Sequence, residues 1–305
     1  GTGNFAAATS HIRSNLIGRY APFQTPYGTK PLVYADWTAT GRPLAMIERY
    51  LVEDVMTMYG NTHTTTSVTG AQTTCFRHEA RQIVAEAVNA KVTGRVSEDV
   101  VIFTGSGATA AVAKLVSALG LGQPMPAGTG PDDRPVVFVG PFEHHSNLLP
   151  WRESCAEVVA VREMPSGGGR GDGGGIDKED LMIKLRMFAT RKLKIGAFCA
   201  ASNVTGVLED VDAVTAMLHR QGALAVWDYA TAAPYMRVDM NPAVVGEDQA
   251  MVYKDAIVFS GHKFVGGPGT PGVLVAKKRL LDNPVPCSPG GGTVFFVTPK
   301  DHRYL

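Results

Sequence analysis

A lysine in the last quarter of the chain has the surroundings of a nucleophilic amine. Residues 256–276, AIVFSGHKFVGGPGTPGVLVA, predict a buried strand that ends in Ser-Gly-His-Lys, then a Gly/Pro-rich turn and a second strand. Lys263 would then lie at the carboxyl edge of a sheet, where open α/β sheets bind their ligands. An amine there can attack a carbonyl group, while Ser260 and His262 can donate hydrogen bonds to a phosphate. An ordinary polar turn with a solvated lysine is the competing interpretation.

An acidic residue follows a second strongly apolar segment, ALAVWDYATAAPY. Asp228 comes directly after a strand predicted over 223–227. A carboxylate in that position can pair with a ring nitrogen of a ligand and keep the nitrogen protonated. Capping of a following helix is the alternative role for this aspartate.

A glycine-rich turn, FTGSGATAAVAKL at 103–115, joins a predicted strand to a predicted helix. The backbone amides of Gly107, Ala108 and Thr109 and the helix dipole would together form a cradle for an anion. The segment lacks the Lys-Ser/Thr of a P-loop and the third glycine of a dinucleotide fingerprint. It therefore predicts a site for the phosphate of some other cofactor.

A further polar cluster, in GPFEHHSNLLPW, consists of Glu143, His144 and His145. A metal site is disfavoured because adjacent side chains seldom reach one ion together and no second ligand cluster accompanies them. Two interpretations of His144 stay open: a ring that packs flat against a planar cofactor, and a plain loop histidine. The same two remain for His63.

The elements that position these residues alternate along the chain. Strand followed by helix followed by strand implies parallel pairing, so an α/β fold with a doubly wound or similar sheet is expected. Strands are predicted at 100–103, 136–139, 157–161, 195–200, 223–227, 256–259 and 272–276, and helices at 44–58, 74–89, 107–119, 178–190 and 211–221. The segment 166–175, SGGGRGDGGG, has no side chain for a core and predicts a flexible surface loop.

Composition limits the classes of function. The 305 residues are 45% hydrophobic and 19% charged, which suits a large packed core and excludes a disordered chain. A net charge of +1 provides no field to recruit nucleic acid or an anionic membrane, and no apolar run reaches the roughly 18 residues of a membrane span. The four cysteines show no CxxC spacing, so a reducing compartment such as the cytoplasm is expected.

Together these motifs resemble the pyridoxal-phosphate enzymes of fold type I, in the class V aminotransferase and cysteine desulfurase superfamily. The similarity extends from YADWTATGRP at 34 to PGGGTVFF at 289. It implies an N-terminal segment at 1–33 and a three-layer α/β/α, cofactor-binding large domain at 34–283 with a mostly parallel sheet. Residues 284–305 would then begin a connection towards the family's small C-terminal domain, which has no counterpart here.

The same resemblance implies a role for each site residue. FSGHK followed by GGPGTPGVL is similar to the family's lysine signature, so Lys263 is expected to hold pyridoxal 5'-phosphate as a Schiff base. The other roles implied are phosphate contacts for Ser260, His262, Ala108 and Thr109, ring stacking for His144, a pyridinium partner in Asp228, 3'-oxygen contacts for Asn203 and Thr231, and a phosphate contact to a second subunit for Thr293. Catalytic roles fall to Lys263, His144 and Asp228. A homodimer with sites completed across the interface is the implied active unit.

The implied activity is that of a cysteine desulfurase, with EHHSNLLPW and FSGHK closer to the selenocysteine lyase-like branch. An amino acid substrate and a sulfur acceptor protein are the expected partners. Thr231 stands where relatives have Gln or His, and Thr64 stands where they have Arg. The family's catalytic Cys and carboxylate-binding Arg belong to the small domain, so none of the four cysteines here is assigned that role.

Class V transamination is the nearest alternative activity. A catalytically impaired scaffold that keeps the fold is a second alternative, which Thr231 and Thr64 permit. A nicotinamide-dependent oxidoreductase, with the turn at 103–109 as a dinucleotide site, is a third hypothesis that leaves Lys263 and Asp228 unexplained.

Overall fold

The computed structural model describes residues 2–95, 97–165, 174–246 and 248–305. Most of the surface loop predicted at 166–175 therefore lies outside the described residues. The chain divides into two compact units. The first comprises residues 1–79 and 261–270, and the second comprises residues 80–260 and 271–305.

The first unit is built from helices and one small hairpin. Its elements are helix α1 (Thr2–Asn15), the antiparallel strands β1 (Pro22–Thr25) and β2 (Gly28–Pro31), helix α2 (Ala45–Tyr50), and the start of helix α3 (Val68–Ala87). The predicted helical stripe over 44–58 is present, but only its first part is α-helical. A π-helical turn at Leu51–Val55 and a 3₁₀ turn at Met56–Met58 complete it.

The second unit contains a seven-stranded sheet. In chain order its strands are β3 (Asp99–Phe103), β4 (Val136–Val139), β5 (Glu157–Ala160), β6 (Lys194–Cys199), β7 (Leu224–Asp228), β8 (Ala256–Ser260) and β9 (Gly272–Lys277). Their order across the sheet is β3-β9-β8-β7-β6-β4-β5. All seven correspond to predicted strands, with ends that differ by one residue at most.

Strand β9 runs against its two neighbours, whereas the remaining pairs of the sheet are parallel. The reason is the connection that precedes it. Only residues 261–271 join β8 to β9, and a parallel crossover needs a dozen or more residues, usually with a helix. The mostly parallel α/β sheet is confirmed, with one antiparallel strand that alternation alone did not reveal.

The other elements of this unit flank the sheet or follow it in the chain. They are α4 (Gly107–Ala118), α5 (His145–Arg152), α6 (Lys178–Met187), α7 (Val211–Arg220), α8 (Gln249–Val252) and the antiparallel strands β10 (Val294–Val297) and β11 (His302–Tyr304). Helices α5 and α8 and the final hairpin were not predicted. No helix in the described part of the chain has both the length and the apolarity that a membrane span requires.

The core lies between the sheet and its helices. Every residue of β4, β8 and β9 is buried, which explains why these segments are continuous apolar runs instead of alternating ones. One face of α4, with Ala111, Val112 and Leu115, is fully buried in the same cluster. The carboxyl ends of β4, β6, β7 and β8 point the same way, so the segments that follow them meet at one edge of the sheet.

Candidate active site

The first feature of this edge is the N-terminus of α4. The Ala108 backbone N–H donates a hydrogen bond of 2.8 Å to Oγ of Ser260, the last residue of β8. Ser106, the N-cap residue, makes no side-chain capping bond of its own. A hydroxyl from a distant strand therefore engages the first turn of α4, where amide groups and the helix dipole favour an anion.

The entry to α4 is held close to the start of β9. The Gly272 N–H donates to Gly105 O, and Thr104 N–H donates to Gly272 O, both at 2.9 Å. A Cβ at Gly272 would lie 1.9 Å from the Gly107 carbonyl oxygen, so only glycine fits there. The last glycine of the GGPGTPG run is thus needed to position the anion cradle.

Thr109 links two helix N-termini. Its hydroxyl lies 2.7 Å from the hydroxyl of Ser146, in the first turn of α5. The two side chains join the start of α4 to the start of α5 beside the cradle. Ser146 was not predicted as a site residue, although it lies in the EHHSN motif.

His144 is the N-cap residue of α5. Its Nδ1 accepts a 3.1 Å hydrogen bond from the Ser146 N–H, so the neutral ring carries its proton on Nε2. The His144 side chain is exposed, and its ring centre lies 5.8 Å from that of His145. The hydrogen bond between His144 and the backbone stays within the start of α5, and the exposed ring remains accessible to a planar ligand.

Asp228 is the last residue of β7 and is only 4% exposed. Its Oδ1 accepts a 2.8 Å hydrogen bond from the Ala230 N–H, and its backbone is in register with Cys199 on β6 and Val258 on β8. The segment after it forms turns instead of a helix, so helix capping does not explain this aspartate. A buried carboxylate at a strand end is the arrangement expected for the partner of a ring nitrogen.

Three other predicted residues occupy turns. Asn203 is exposed after β6, in a turn that Ser202 organises by accepting hydrogen bonds from two following amides. Thr231 is partly buried in the turn after β7. Thr293 donates a 2.8 Å hydrogen bond from Oγ1 to the carbonyl oxygen of Gly290 and so closes the turn before β10.

Lys263 and His262 belong to the first unit, in a 3₁₀ turn directly after β8. The His262 carbonyl oxygen accepts hydrogen bonds from Gly41 N–H at 2.8 Å and from Thr40 Oγ1 at 3.1 Å. The Thr40 hydroxyl also lies 3.0 Å from Nδ1 of the ring. Burial, and then the charge of Lys263, lowers the pKa of His262 and favours its neutral form. Thr40 was missed, although it lies in YADWTATGRP.

Burial changes two more titratable groups at the edge of the sheet. It raises the pKa of Glu143 from 4.5 to about 8, and the negative charge of Asp228 adds to this effect. The pKa of the Cys199 thiol is also raised, mainly by burial and then by Glu143 and Asp228. A thiol held in its protonated form is a poor nucleophile, which agrees with the absence of a catalytic assignment for Cys199.

These residues fit a phosphate-bearing cofactor. The second unit provides a helix N-terminus with the Ser260 hydroxyl beside it, the buried carboxylate of Asp228 and the accessible imidazole of His144. The amine of Lys263 follows the same strand that carries Ser260, three residues later in the chain. The fold and these features define the class of α/β proteins that bind ligands at the carboxyl ends of their strands.

The chain belongs to the class V aminotransferase family, whose model matches residues 33–304. Enzymes of this family depend on pyridoxal 5'-phosphate, which confirms the predicted cofactor. A probable cysteine desulfurase from Halalkalibacterium halodurans is 31% identical over 270 residues, which make up 88% of this chain and 58% of the relative. The probable cysteine desulfurase 2 of Mycobacterium leprae is 31% identical over 286 residues, 91% of this chain and 60% of the relative.

Among solved structures, the apo cysteine desulfurase from Thermococcus onnurineus NA1 aligns with a TM-score of 0.66 and 25% identity. The alignment covers 90% of this chain and 60% of that structure. The chain thus spans about 60% of the length of these relatives.

Proposed function

We propose that this chain forms the cofactor-binding part of a pyridoxal-phosphate enzyme of the cysteine desulfurase or selenocysteine lyase type. The observation that carries the proposal is the hydrogen bond from Ala108 N–H to Ser260 Oγ. This bond ties the anion cradle of α4 to the strand that leads into Lys263. The names of the curated relatives support a sulfur-containing amino acid as substrate.

The bound cofactor supplies an electron sink for negative charge at the α-carbon of an amino acid. Lys263 provides the amine that binds the cofactor aldehyde, and it then moves the proton at the α-carbon. Asp228 holds the proton on the ring nitrogen. Ala108, Thr109, Ser260 and His262 bind the phosphate, His144 packs on the ring, and Asn203 and Thr231 orient the 3'-oxygen.

The proposal includes a homodimer in which Thr293 reaches the phosphate site of the second subunit. The exposed apolar side chains of the neighbouring strand β10 support an interface there, since Phe295 is 72% exposed and Val297 is 66% exposed. A sulfur acceptor protein is the proposed macromolecular partner. A reducing compartment such as the cytoplasm is the proposed location.

Transamination is the second candidate, because the family model that matches the chain is that of the class V aminotransferases. The products separate the two activities. Formation of alanine supports the first candidate, with sulfide or selenide released only when an added thiol reduces the transferred sulfur or selenium atom. A keto acid without sulfide supports transamination. Retention of the cofactor without turnover of any amino acid, in a protein that includes the family's small domain, would favour the impaired scaffold.

The test is covalent capture of the cofactor. The protein is incubated with pyridoxal 5'-phosphate, its visible absorption is recorded, and borohydride reduction is followed by peptide mapping. We expect the label on Lys263 and its loss in Lys263→Ala. Lys278→Ala, at an exposed lysine, is the matched control and keeps the label. A label on other lysines only, or no label at all, overturns the proposal.

A further inference from the structure

The carboxylate of Glu143 gathers three neighbouring segments at the carboxyl edge of the sheet. Its Oε1 accepts hydrogen bonds from Gly140 N–H at 3.3 Å, after β4, and from Cys199 N–H at 3.0 Å, at the end of β6. Its Oε2 accepts a 2.6 Å hydrogen bond from Nδ2 of Asn147, in α5. One side chain thus connects two strand ends to the helix that follows.

The Asn147 side chain is itself oriented by a second contact. Its Oδ1 accepts a 3.3 Å hydrogen bond from Nε1 of Trp151, and both residues are fully buried. The indole N–H is only a donor, so it requires the amide oxygen on its side. The amide nitrogen of Asn147 is therefore directed at Glu143.

The backbone around Glu143 is adapted to this arrangement. A Cβ at residue 140 would lie 2.8 Å from Oε1 of Glu143, so any larger side chain there would have to displace the Glu143 carboxylate. His144 is the next residue in the chain and begins α5. Because residues 143 and 144 are adjacent, the hydrogen bonds of the Glu143 carboxylate restrain the backbone that carries the His144 ring.

We propose that Glu143 is a positioning residue that places the His144 ring by accepting these three hydrogen bonds. This inference rests on the proposed function, since His144 is assigned there to the face of the cofactor ring. In the sequence, Glu143 was considered only as a possible metal ligand. The structure instead suggests that it positions its neighbour. The role depends on the pattern of donors and acceptors, and a matched exchange of side chains can test it.

Above about pH 8, where Glu143 is ionised, Glu143→Gln introduces a conflict between donors, so the variants are compared at about pH 9. If the introduced amide side chain uses its oxygen for the two backbone N–H groups, its NH₂ group faces the NH₂ group of Asn147. A flip of Asn147 relieves this contact but leaves the buried Trp151 N–H without an acceptor. The double variant Glu143→Gln with Asn147→Asp removes the conflict, because the new carboxylate accepts from both neighbours.

The experiment compares the wild type, Glu143→Gln, Asn147→Asp and the double variant. Glu153→Gln, at an exposed position at the other end of α5, is the matched control. The first measurement is the NMR signal of the His144 ring in cofactor-free protein, assigned with His144→Gln. The second is the affinity for pyridoxal 5'-phosphate, with the circular dichroism of its visible band.

We expect Glu143→Gln to shift the His144 signal and weaken cofactor affinity about tenfold, the effect of one lost hydrogen bond. The double variant should return both measurements to within about twofold of the wild type, and Glu153→Gln should leave both unchanged. An unchanged Glu143→Gln variant overturns the proposal. The proposal is also overturned if the double variant is as impaired, or as poorly folded, as Glu143→Gln. Restored hydrogen bonding between residues 143 and 147 would then not be enough to position the His144 ring.

The two proposals fail in different ways. If the wild type binds no pyridoxal 5'-phosphate, the proposed function fails, while the His144 signal still tests the positioning role. If the wild type binds the cofactor and Glu143→Gln behaves like it in both measurements, only the positioning role fails.

Discussion

The two edges of the seven-stranded sheet hold their charged groups in different ways. At the amino edge, buried carboxylates face cations. Nζ of Lys277 lies 2.8 Å from Oδ1 of the fully buried Asp99. Asp255, also fully buried, contacts Arg279 through one oxygen and Nε2 of His219, at 2.9 Å, through the other. These ion pairs lie at the edge of the sheet opposite the edge that is predicted to bind the ligand.

At the carboxyl edge, Glu143 is bound by neutral amide groups instead. Its hydrogen bonds come from two backbone N–H groups and from Asn147. Asp228 adds a second carboxylate close enough to raise the pKa of Glu143 further. Neutral donors hold the geometry of the carboxyl group, while burial favours its protonated form at pH values up to about 8.

The difference separates structural charges from functional ones. A buried ion pair compensates its own charge, and loss of one partner leaves the other uncompensated. A carboxyl group held by neutral donors keeps a pKa that responds to its surroundings, which is typical of ligand sites. The amino edge should therefore dominate stability, and the carboxyl edge should dominate binding.

The largest expected effect is on stability at the amino edge. Lys277→Met leaves Asp99 buried without its cation and should lower the free energy of unfolding by about 3–5 kcal/mol. Urea denaturation of the cofactor-free protein measures this, with the exposed Lys278→Met as control. Asp99→Asn should recover part of the loss in the Lys277→Met background. A loss below about 1 kcal/mol, the value of a surface pair, would contradict the comparison.

A second effect, smaller for each pH unit crossed, is expected in the pH dependence at the carboxyl edge. Because the folded-state pKa of Glu143 is raised from 4.5 to about 8, its contribution to stability is complete below about pH 4.5 and is lost as the pH rises towards 8. Relative to Glu143→Gln, the wild type should lose about 1 kcal/mol per pH unit between these values. Urea denaturation at several pH values measures the difference. Parallel curves for the two proteins would show that the carboxyl group does not titrate as described.

The smallest expected effect distinguishes two serines at the start of α4. Ser260→Ala removes the acceptor of the Ala108 N–H and should cost about 1 kcal/mol of stability. It should also weaken binding of pyridoxal 5'-phosphate about fivefold. Ser106→Ala should change stability by less than about 0.5 kcal/mol, because the Ser106 side chain makes no capping bond. Equal losses of stability in the two variants would show that Ser260 contributes no more to the start of α4 than Ser106 does.

Much of the fold was accessible from sequence patterns. The seven strands of the large sheet matched because buried strands are continuous apolar runs with polar residues or glycine at their ends. Helix α5 was missed because HSNLLPWR contains Pro150 and its buried face includes the polar Asn147. The antiparallel direction of β9 was not predicted, because hydrophobic patterns locate a strand but take no account of the length of the connection before it.

The candidate site was accessible in part. Local sequence signals pointed to four residues, because each lies at or just after the end of an apolar strand or at the start of a helix. They are Lys263, Asp228, Ala108 and Ser260. Ser146 and Thr40 carried no such signal, and Glu143 was considered only as a possible metal ligand. Their partners come from other segments, such as the Cys199 amide, 56 residues away from Glu143.

The sequence by itself determined the seven strands of the sheet, the helices α4, α6 and α7, and which reactive side chains stand at strand ends. Those properties depend on hydrophobic patterns over a few neighbouring residues. Only the tertiary structure decided that Ser260 meets Ala108 across 152 residues, that Glu143 joins two strand ends to α5, and that the amino edge is closed by ion pairs. Hydrogen bonds and ion pairs act over a few ångströms, so their partners are defined only when distant segments have come together.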